Sequence, residues 1–379
     1  MIRSTVARVD LQAVAHNLAA IRTFVQSQPP AAGSPARIIA VVKANAYGHG
    51  AERVALTLEQ AGADLLACAD IEEGIVLRQA GVRIPILIFG ALSVSSLNGL
   101  FEFSLTPTIS TPSAARAVEA AARARGRTIG YHVKIDTGMN RLGFRFDNLV
   151  RTMPEVLASP HLRLEAVYTH FASADVPGSD LFGQQRERFE QACETLRALG
   201  APAVPRHACN SAALLRDSRV WYDFVRPGLL LYGIVPPPMA STLPLVPAMS
   251  LTSRVVGVKG LRPGEGVGYG STYSSDTPRT IAVVPAGYAD GLDTRLGGRG
   301  TALVRGRRVS IVGAVSMDMI TLDVTDLPEV SPGDEVVLLG AQGEESWQRL
   351  DAREVAASIG TIPWEIVCRL GTRVERRYD

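Results

Sequence analysis

The chain has 379 residues, 46% of them hydrophobic and 20% charged, so it is a folded globular chain and neither disordered nor fibrous. Lys and Arg number 39 against 37 Asp and Glu, and a net charge of +2 gives no broad field to draw nucleic acid or membrane, leaving a small molecule as the expected partner. No uncharged apolar stretch is long enough to span a bilayer and the N-terminus lacks a cleavable apolar leader, so a cytoplasmic location is expected. Four scattered cysteines, Cys68, Cys193, Cys209 and Cys368, lack the close pairing of a zinc site or redox motif and read as reduced, mostly buried thiols; no metal is expected.

In chain order, eight β-branched or apolar runs occur between residues 36 and 235: RIIAVVK (37–43), DLLACA (64–69), IPILIF (84–89), SLTPTI (104–109), YHVKID (131–136), RLEAVYTH (163–170), PRHACN (205–210) and YDFVRP (222–227). Helical patterns separate most of them. AERVALTLEQAG follows the first and STPSAARAVEAAARARG the fourth, each closed by a glycine stop. Eight strands alternating with helices predict an α/β architecture, a (β/α)8 TIM-like barrel. After the Pro-rich stretch IVPPPMASTLPLVP (234–247), runs such as LTSRVVGVKG, TIAVVPAG, RRVSIVGAV and DEVVLLG are divided by turns without helices, which predicts a mainly antiparallel β domain. The expected division is a barrel over 1–240 and a β domain over 241–379.

A barrel of this kind carries its chemistry where the strands end at their carboxyl side. The runs here end at Lys43, at Lys134 and Asp136, at His170, at Asn210 and Ser211, and at Arg226 and Gly228. Desolvation would lower the pKa of a buried Lys43 amine and make it a competent Schiff-base nucleophile. A lysine that snorkels out of the barrel mouth fits the spacing equally well.

The longer strings decide more. AVVKANAYGHG (40–50), KIDTGMNRLGF (134–144), THFASAD (169–175), CNSAA (209–213), VRPGLLLYG (225–233), VGYGSTY (267–273), PAGYADG (285–291) and VSMDM (315–319) resemble segments of the alanine racemases, in that family's order. The resemblance implies an isomerase that interconverts L- and D-alanine by two-base proton transfer at Cα through a pyridoxal 5′-phosphate aldimine. It also implies a homodimer with shared active sites, and D-alanine supply for peptidoglycan.

Residue by residue, the resemblance makes Lys43 the cofactor-bearing lysine and one base, and Tyr269, from the partner subunit, the other. Arg226 would face the pyridine nitrogen with His170 supporting it. Tyr47, Asn210, Ser211, Gly228 and Leu229 would hold the phosphate. Arg141 would grip the substrate carboxylate. Lys134, a position the family often carries as a carbamate, would orient Arg141; failing a carbamate, an anion or a salt bridge from Asp136 must offset two adjacent cations. Met317, Asp318 and Tyr288, again from the partner, would close a methyl-sized pocket in which serine is a poor second substrate. At TIPWEIVC (361–368) the sequence departs from the family, placing Trp364 where a tyrosine commonly reaches the phosphate. The competing readings are a barrel-type amino-acid decarboxylase, which needs an acidic pocket, and a non-catalytic pyridoxal phosphate-binding protein, which lacks a second domain.

Overall fold

The computed structural model describes residues 4–29, 33–92, 97–343 and 347–379. Each of the eight runs coincides with a strand or with most of one: β1 (Arg37–Val41), β2 (Leu65–Cys68), β3 (Ile86–Ile88), β4 (Thr106–Ile109), β5 (Ile129–Asp136), β6 (Leu162–Tyr168), β7 (Arg206–Asn210) and β8 (Phe224–Arg226). Every neighbouring pair is parallel, and β8 returns to β1 through Phe224 opposite Arg37 and Val225 opposite Ile38, so the sheet closes into a barrel. Helices cross back between strands where the pattern placed them. Ala51–Gln60 follows β1, and Pro112–Ala124 follows β4 with Thr111 Oγ1 accepting from the Ala114 amide as its N-cap.

Period-two alternation along parallel strands sorts side chains into barrel interior and outer shell. Ile39, Ala67, Leu87 and Phe224 form one interior layer. Against it lie polar rings: His207 stacks on Tyr168 at 4.6 Å, Tyr168 Oη bonds Thr108 Oγ1 at 3.0 Å, and His132 meets His207. A barrel interior is normally filled by branched aliphatics. The polar filling directly beneath the mouth is therefore where this barrel departs from simple packing.

The second sheet has ten strands and is mainly antiparallel, running in order through Gly257–Leu261, Arg279–Val284, Ile320–Asp323, Arg307–Val312, Thr301–Val304, Glu335–Gln342, Met249–Arg254, Val6–Val9 and Glu375–Tyr378, with Gln348–Leu350 on Glu335–Gln342. At the N-terminal edge the second sheet takes in a strand from outside the β region. Val6–Val9, assigned with the barrel, pairs antiparallel with Met249–Arg254 and parallel with Glu375–Tyr378. Four residues are too short for sequence pattern to name their partner, and the pairing depends on strands some 250 to 370 residues away. The linker is pinned by buried Asn17, whose amide donates to Leu231 O and Val246 O while its oxygen accepts from the Val246 amide.

Candidate active site

Lys43 lies just beyond β1, and the chain after it takes an unusual path. Ala44, Asn45, Ala46 and Tyr47 all have φ between 51° and 54°, one full turn of left-handed helix without a glycine. Each such residue costs about 1–2 kcal/mol, so the turn persists only because its surroundings over-determine it. Glu73 accepts from the Ala44 amide at 2.6 Å and, with its other oxygen, from the Ala69 amide. Asn45 Oδ1 caps the Ala51 amide, and His49 Nδ1 reaches the carbonyls of Ala46 and Tyr47 at 3.0 and 2.9 Å. Gly48 must be glycine: its φ is 83°, and a Cβ there would sit 2.1 Å from the Val367 carbonyl of the helix Pro363–Cys368.

The turn opens onto a cavity of about 430 Å³ at the carboxyl ends of the barrel strands. Lys43, Tyr47, Lys134, Arg141, His170, Asn210, Ser211, Arg226, Gly228, Leu229 and Trp364 all line it. So do Phe89, Tyr168 and Asp175, which the sequence reading did not single out.

The cavity gathers cations. Lys43, Lys134, Arg141 and Arg226 form no ion pair with a carboxylate among the described residues, and the repulsion between cations shows in the titration of the two lysines. Burial and then Arg141 lower the Lys43 amine below its ordinary 10.5. Burial, Arg141 and Arg226 bring Lys134 down to about 8. The salt bridge considered from Asp136 is not made: its Oδ1 instead accepts from the amides of Gly138 and Asn140, shaping the loop that carries Arg141. A mouth that gathers four cations and lowers the affinity of both lysines for their protons suits a ligand bearing more than one negative group.

Arg226 is held from several sides. Nη2 donates to the carbonyls of Thr169 and Ala208 at 2.9 and 3.0 Å and approaches His170 Nδ1 at 3.2 Å; Nη1 faces His207 Nδ1 at 3.0 Å. Burial pushes the guanidinium down only to about 10, so it remains a cation. Burial and Arg226 hold His170 and His207 well below the usual histidine range. Both rings are neutral and accept from Arg226, which assigns the proton of His207 to Nε2, donated to His132 Nδ1 at 3.0 Å. This chain beneath Arg226 was missed from sequence, although inward alternation along YHVKID puts His132 on the same face as Lys134.

Just beyond Arg226, Ser211 Oγ accepts from the Gly228 amide at 2.9 Å, which leaves the hydroxyl proton free to donate. Asn210 caps the short helix Ser211–Arg216 through the Ala213 amide. Gly228 leaves room for Tyr47: a Cβ would lie 2.7 Å from Tyr47 Oη and the phenol would have to shift. Burial keeps that phenol protonated and hence a donor. Trp364 is half-buried and its indole makes no hydrogen bond among the described residues.

Four of the expected residues lie elsewhere. Tyr269, Tyr288, Met317 and Asp318 do not line the cavity of their own chain. They belong to the β domain, where the Tyr288 amide donates to Ser316 O and the Ala289 amide to Met317 O, joining two of their loops. Tyr269 is 79% exposed, Met317 51% and Tyr288 44%. Asp318 is paired with Arg373 at 2.6 Å. Among the described residues no helix is long and apolar enough to cross a membrane, and no group of His, Cys, Asp and Glu is placed to hold a metal ion.

Both halves of the chain match one family. Residues 9–236 match the family alanine racemase, N-terminal domain, and residues 248–378 the alanine racemase, C-terminal domain. The chain belongs to the alanine racemase family. Alanine racemase of Carboxydothermus hydrogenoformans is 41% identical over the full length of both chains. Among solved structures, alanine racemase from D-cycloserine-producing Streptomyces lavendulae superposes with a TM-score of 0.92 at 34% identity, covering 100% of this chain and 98% of that one. The Bacillus anthracis alanine racemase with bound L-Ala-P gives 0.89 at 36% identity, covering 100% and 96%. The membership spans the β domain, which a single-domain carrier of the same barrel does not possess.

Proposed function

We propose that this protein racemises alanine, using pyridoxal 5′-phosphate attached to Lys43 and a second base, Tyr269, supplied by another copy of the chain. The observation that carries the reading is the barrel mouth itself: four cations without carboxylate partners among the described residues, Tyr47 and Ser211 as donors, and a close approach of Tyr47 Oη to Gly228. Those residues fit an anionic phosphate at one end and a substrate carboxylate at the other. Tyr47, Ser211 and the backbone at Gly228 and Leu229 would hold the phosphate, and Arg226 would face the ring nitrogen. When bound, the cofactor ring withdraws electrons from the substrate Cα and makes its hydrogen removable as a proton.

The remaining steps fall to the chain's own side chains. The lowered Lys43 amine is neutral in a larger fraction of molecules than an ordinary lysine and can take the Cα proton from one face. Tyr269 would return a proton on the other face; a phenol titrates near 10 unperturbed, so it must work beside the cations of the mouth. Arg226, a cation that keeps its proton, would donate to the ring nitrogen and so leave it unprotonated. Arg141 would hold the carboxylate, oriented by Lys134, whose amine, brought down to about 8, is neutral in a larger fraction of molecules than an ordinary lysine and so more open to carbamylation. Tyr288, Met317 and Asp318 of the second copy would close a pocket with room for little more than a methyl. The exposure of Tyr269, Tyr288 and Met317 supports this, since large side chains left uncovered in the chain favour burial against a partner.

Purified protein given L-alanine should accumulate D-alanine, read with D-amino acid oxidase, and release no carbon dioxide. Carbon dioxide release would favour a decarboxylase, and a protein that takes up the cofactor but turns over neither isomer would favour a carrier.

A further inference from the structure

Tyr269 stands at the tip of a hairpin whose strands, Gly266–Val267 and Tyr273–Ser274, form a sheet of their own only two residue pairs long. A two-stranded hairpin is marginal by itself, and more so at this length. Residues 268–272 are all exposed, and the chain turns there through Gly268 and Gly270 at φ 70° and 69° and Ser271 at 47°. Glycine reaches such angles at no steric cost and leaves the backbone on both sides of Tyr269 free to rotate. The position of the phenol is therefore set at the base of the hairpin.

Two contacts anchor that base. Val267 is 5% exposed and packs with Leu261, Ile281 and Val312, and the Tyr273 ring lies against the same cluster. Tyr273 Oη then donates to Asp323 Oδ2 at 2.9 Å. Asp323 is itself held, since its Oδ1 accepts from the Thr325 amide and Oγ1 at 3.0 and 2.6 Å and its Oδ2 lies 3.8 Å from Arg279 Nη1. This acceptor ends the strand Ile320–Asp323, which is paired on one side with Arg279–Val284 and on the other with Arg307–Val312. The loop leading into that strand carries Met317 and Asp318. A phenol donating to a carboxylate makes a charge-assisted bond, stronger than a neutral one.

We propose that Tyr273 is a positioning residue: its bond to Asp323 locks the hairpin to the strand beside Met317 and so fixes how far, and at what angle, Tyr269 reaches into the mouth of the partner subunit. The inference rests on the reading of Tyr269 as the second base and names what holds that base in place. Proton transfer tolerates little play, and a displacement of about 1 Å can cost about 100-fold in rate. Tyr273→Phe is a mild probe, because it removes one oxygen and leaves the ring on its apolar cluster.

Exchange of the Cα hydrogen in deuterium oxide, followed by NMR for L- and D-alanine separately on the cofactor-loaded protein, reads the two faces one at a time. Lys43 can remove and return a proton on its own face unaided, so Tyr269→Phe should slow the exchange of one isomer far more than that of the other. Tyr273→Phe should slow the same isomer by about tenfold to 100-fold, leaving the other isomer's exchange and the cofactor affinity unchanged. Added to Tyr269→Phe, it should slow neither isomer further, because it acts only through that phenol. Parental exchange of both isomers by Tyr273→Phe, equal slowing of both, or a further loss in the double variant would overturn the proposal while leaving Tyr269 as the base. If Tyr269→Phe itself exchanges both isomers at the parental rate, the second-base reading fails and the positioning role fails with it.

Discussion

Replacing Lys134 with methionine should stabilise the cofactor-free protein at neutral pH, even though it removes a residue of the proposed site. The side chain is 4% exposed, and its amine is brought from the ordinary 10.5 down to about 8 by burial and by Arg141 and Arg226. At 1.36 kcal/mol for each tenfold change in proton affinity, that displacement is worth about 3 kcal/mol of charging cost in the folded chain. The cost is fully present below pH 8. Between 8 and 10.5 the unfolded chain binds more protons than the folded one, so stability rises with pH, and above 10.5 the cost is gone. Methionine has a similar reach and no charge, so the variant lacks this part of the rise. Urea unfolding in buffer free of carbon dioxide should find the variant about 3 kcal/mol more stable at pH 7, with the difference closing toward pH 10.5. Added bicarbonate should narrow the difference at pH 8 by stabilising only the parent, since a carbamate would turn the cation into an anion beside Arg141. A variant less stable than the parent at pH 7, or a difference that does not change with pH, would refute the reasoning.

The other substitutions probe the cofactor cradle and the second base. Gly228→Ala places a Cβ against Tyr47 Oη and should weaken cofactor binding by up to about tenfold, the worth of one displaced hydrogen bond; equilibrium dialysis showing unchanged affinity would mean that the phenol does not serve the phosphate. Trp364→Tyr should tighten cofactor binding by a similar factor, up to about tenfold, and raise the serine-to-alanine ratio of kcat/KM, because a phenol can reach where the indole does not donate; if neither moves, Trp364 is only a wall. Tyr269→Phe should leave cofactor affinity intact while cutting racemisation by about 100-fold to 10,000-fold, the usual contribution of a general acid–base group. Solvent deuterium entering Cα of both isomers at the parental rate would remove Tyr269 from that role.

The barrel was legible because its strands are short, buried and regularly punctuated: each of the eight runs from RIIAVVK to YDFVRP coincides with a strand of the closed sheet or with most of one. Strand ends such as Lys43, Lys134 and Arg226 were legible for the same reason, since a charge that stops an apolar run must emerge at the mouth. Val6–Val9 was not, because its partner is chosen by tertiary contact and nothing local distinguishes one sheet from the other. The left-handed turn at Ala44–Tyr47 was also hidden. Alanine and asparagine do not advertise positive φ as glycine does, and the turn depends on Glu73 and His49, whose reach the sequence does not display. The support of Arg226 by His207 and His132 required knowing which residues face inward at the same height on different strands.

The central claim is that Lys43 of one chain works with Tyr269 of another, and mixing two inactive proteins tests it most directly. Lys43→Ala and Tyr269→Phe chains, exchanged at equal concentration, should form mixed dimers in which one of the two sites keeps both groups. Random pairing then leaves about a quarter of all sites intact, and D-alanine formation should return to about a quarter of the parental rate. No recovered activity after subunit exchange has been verified by mass would contradict a site shared between two copies.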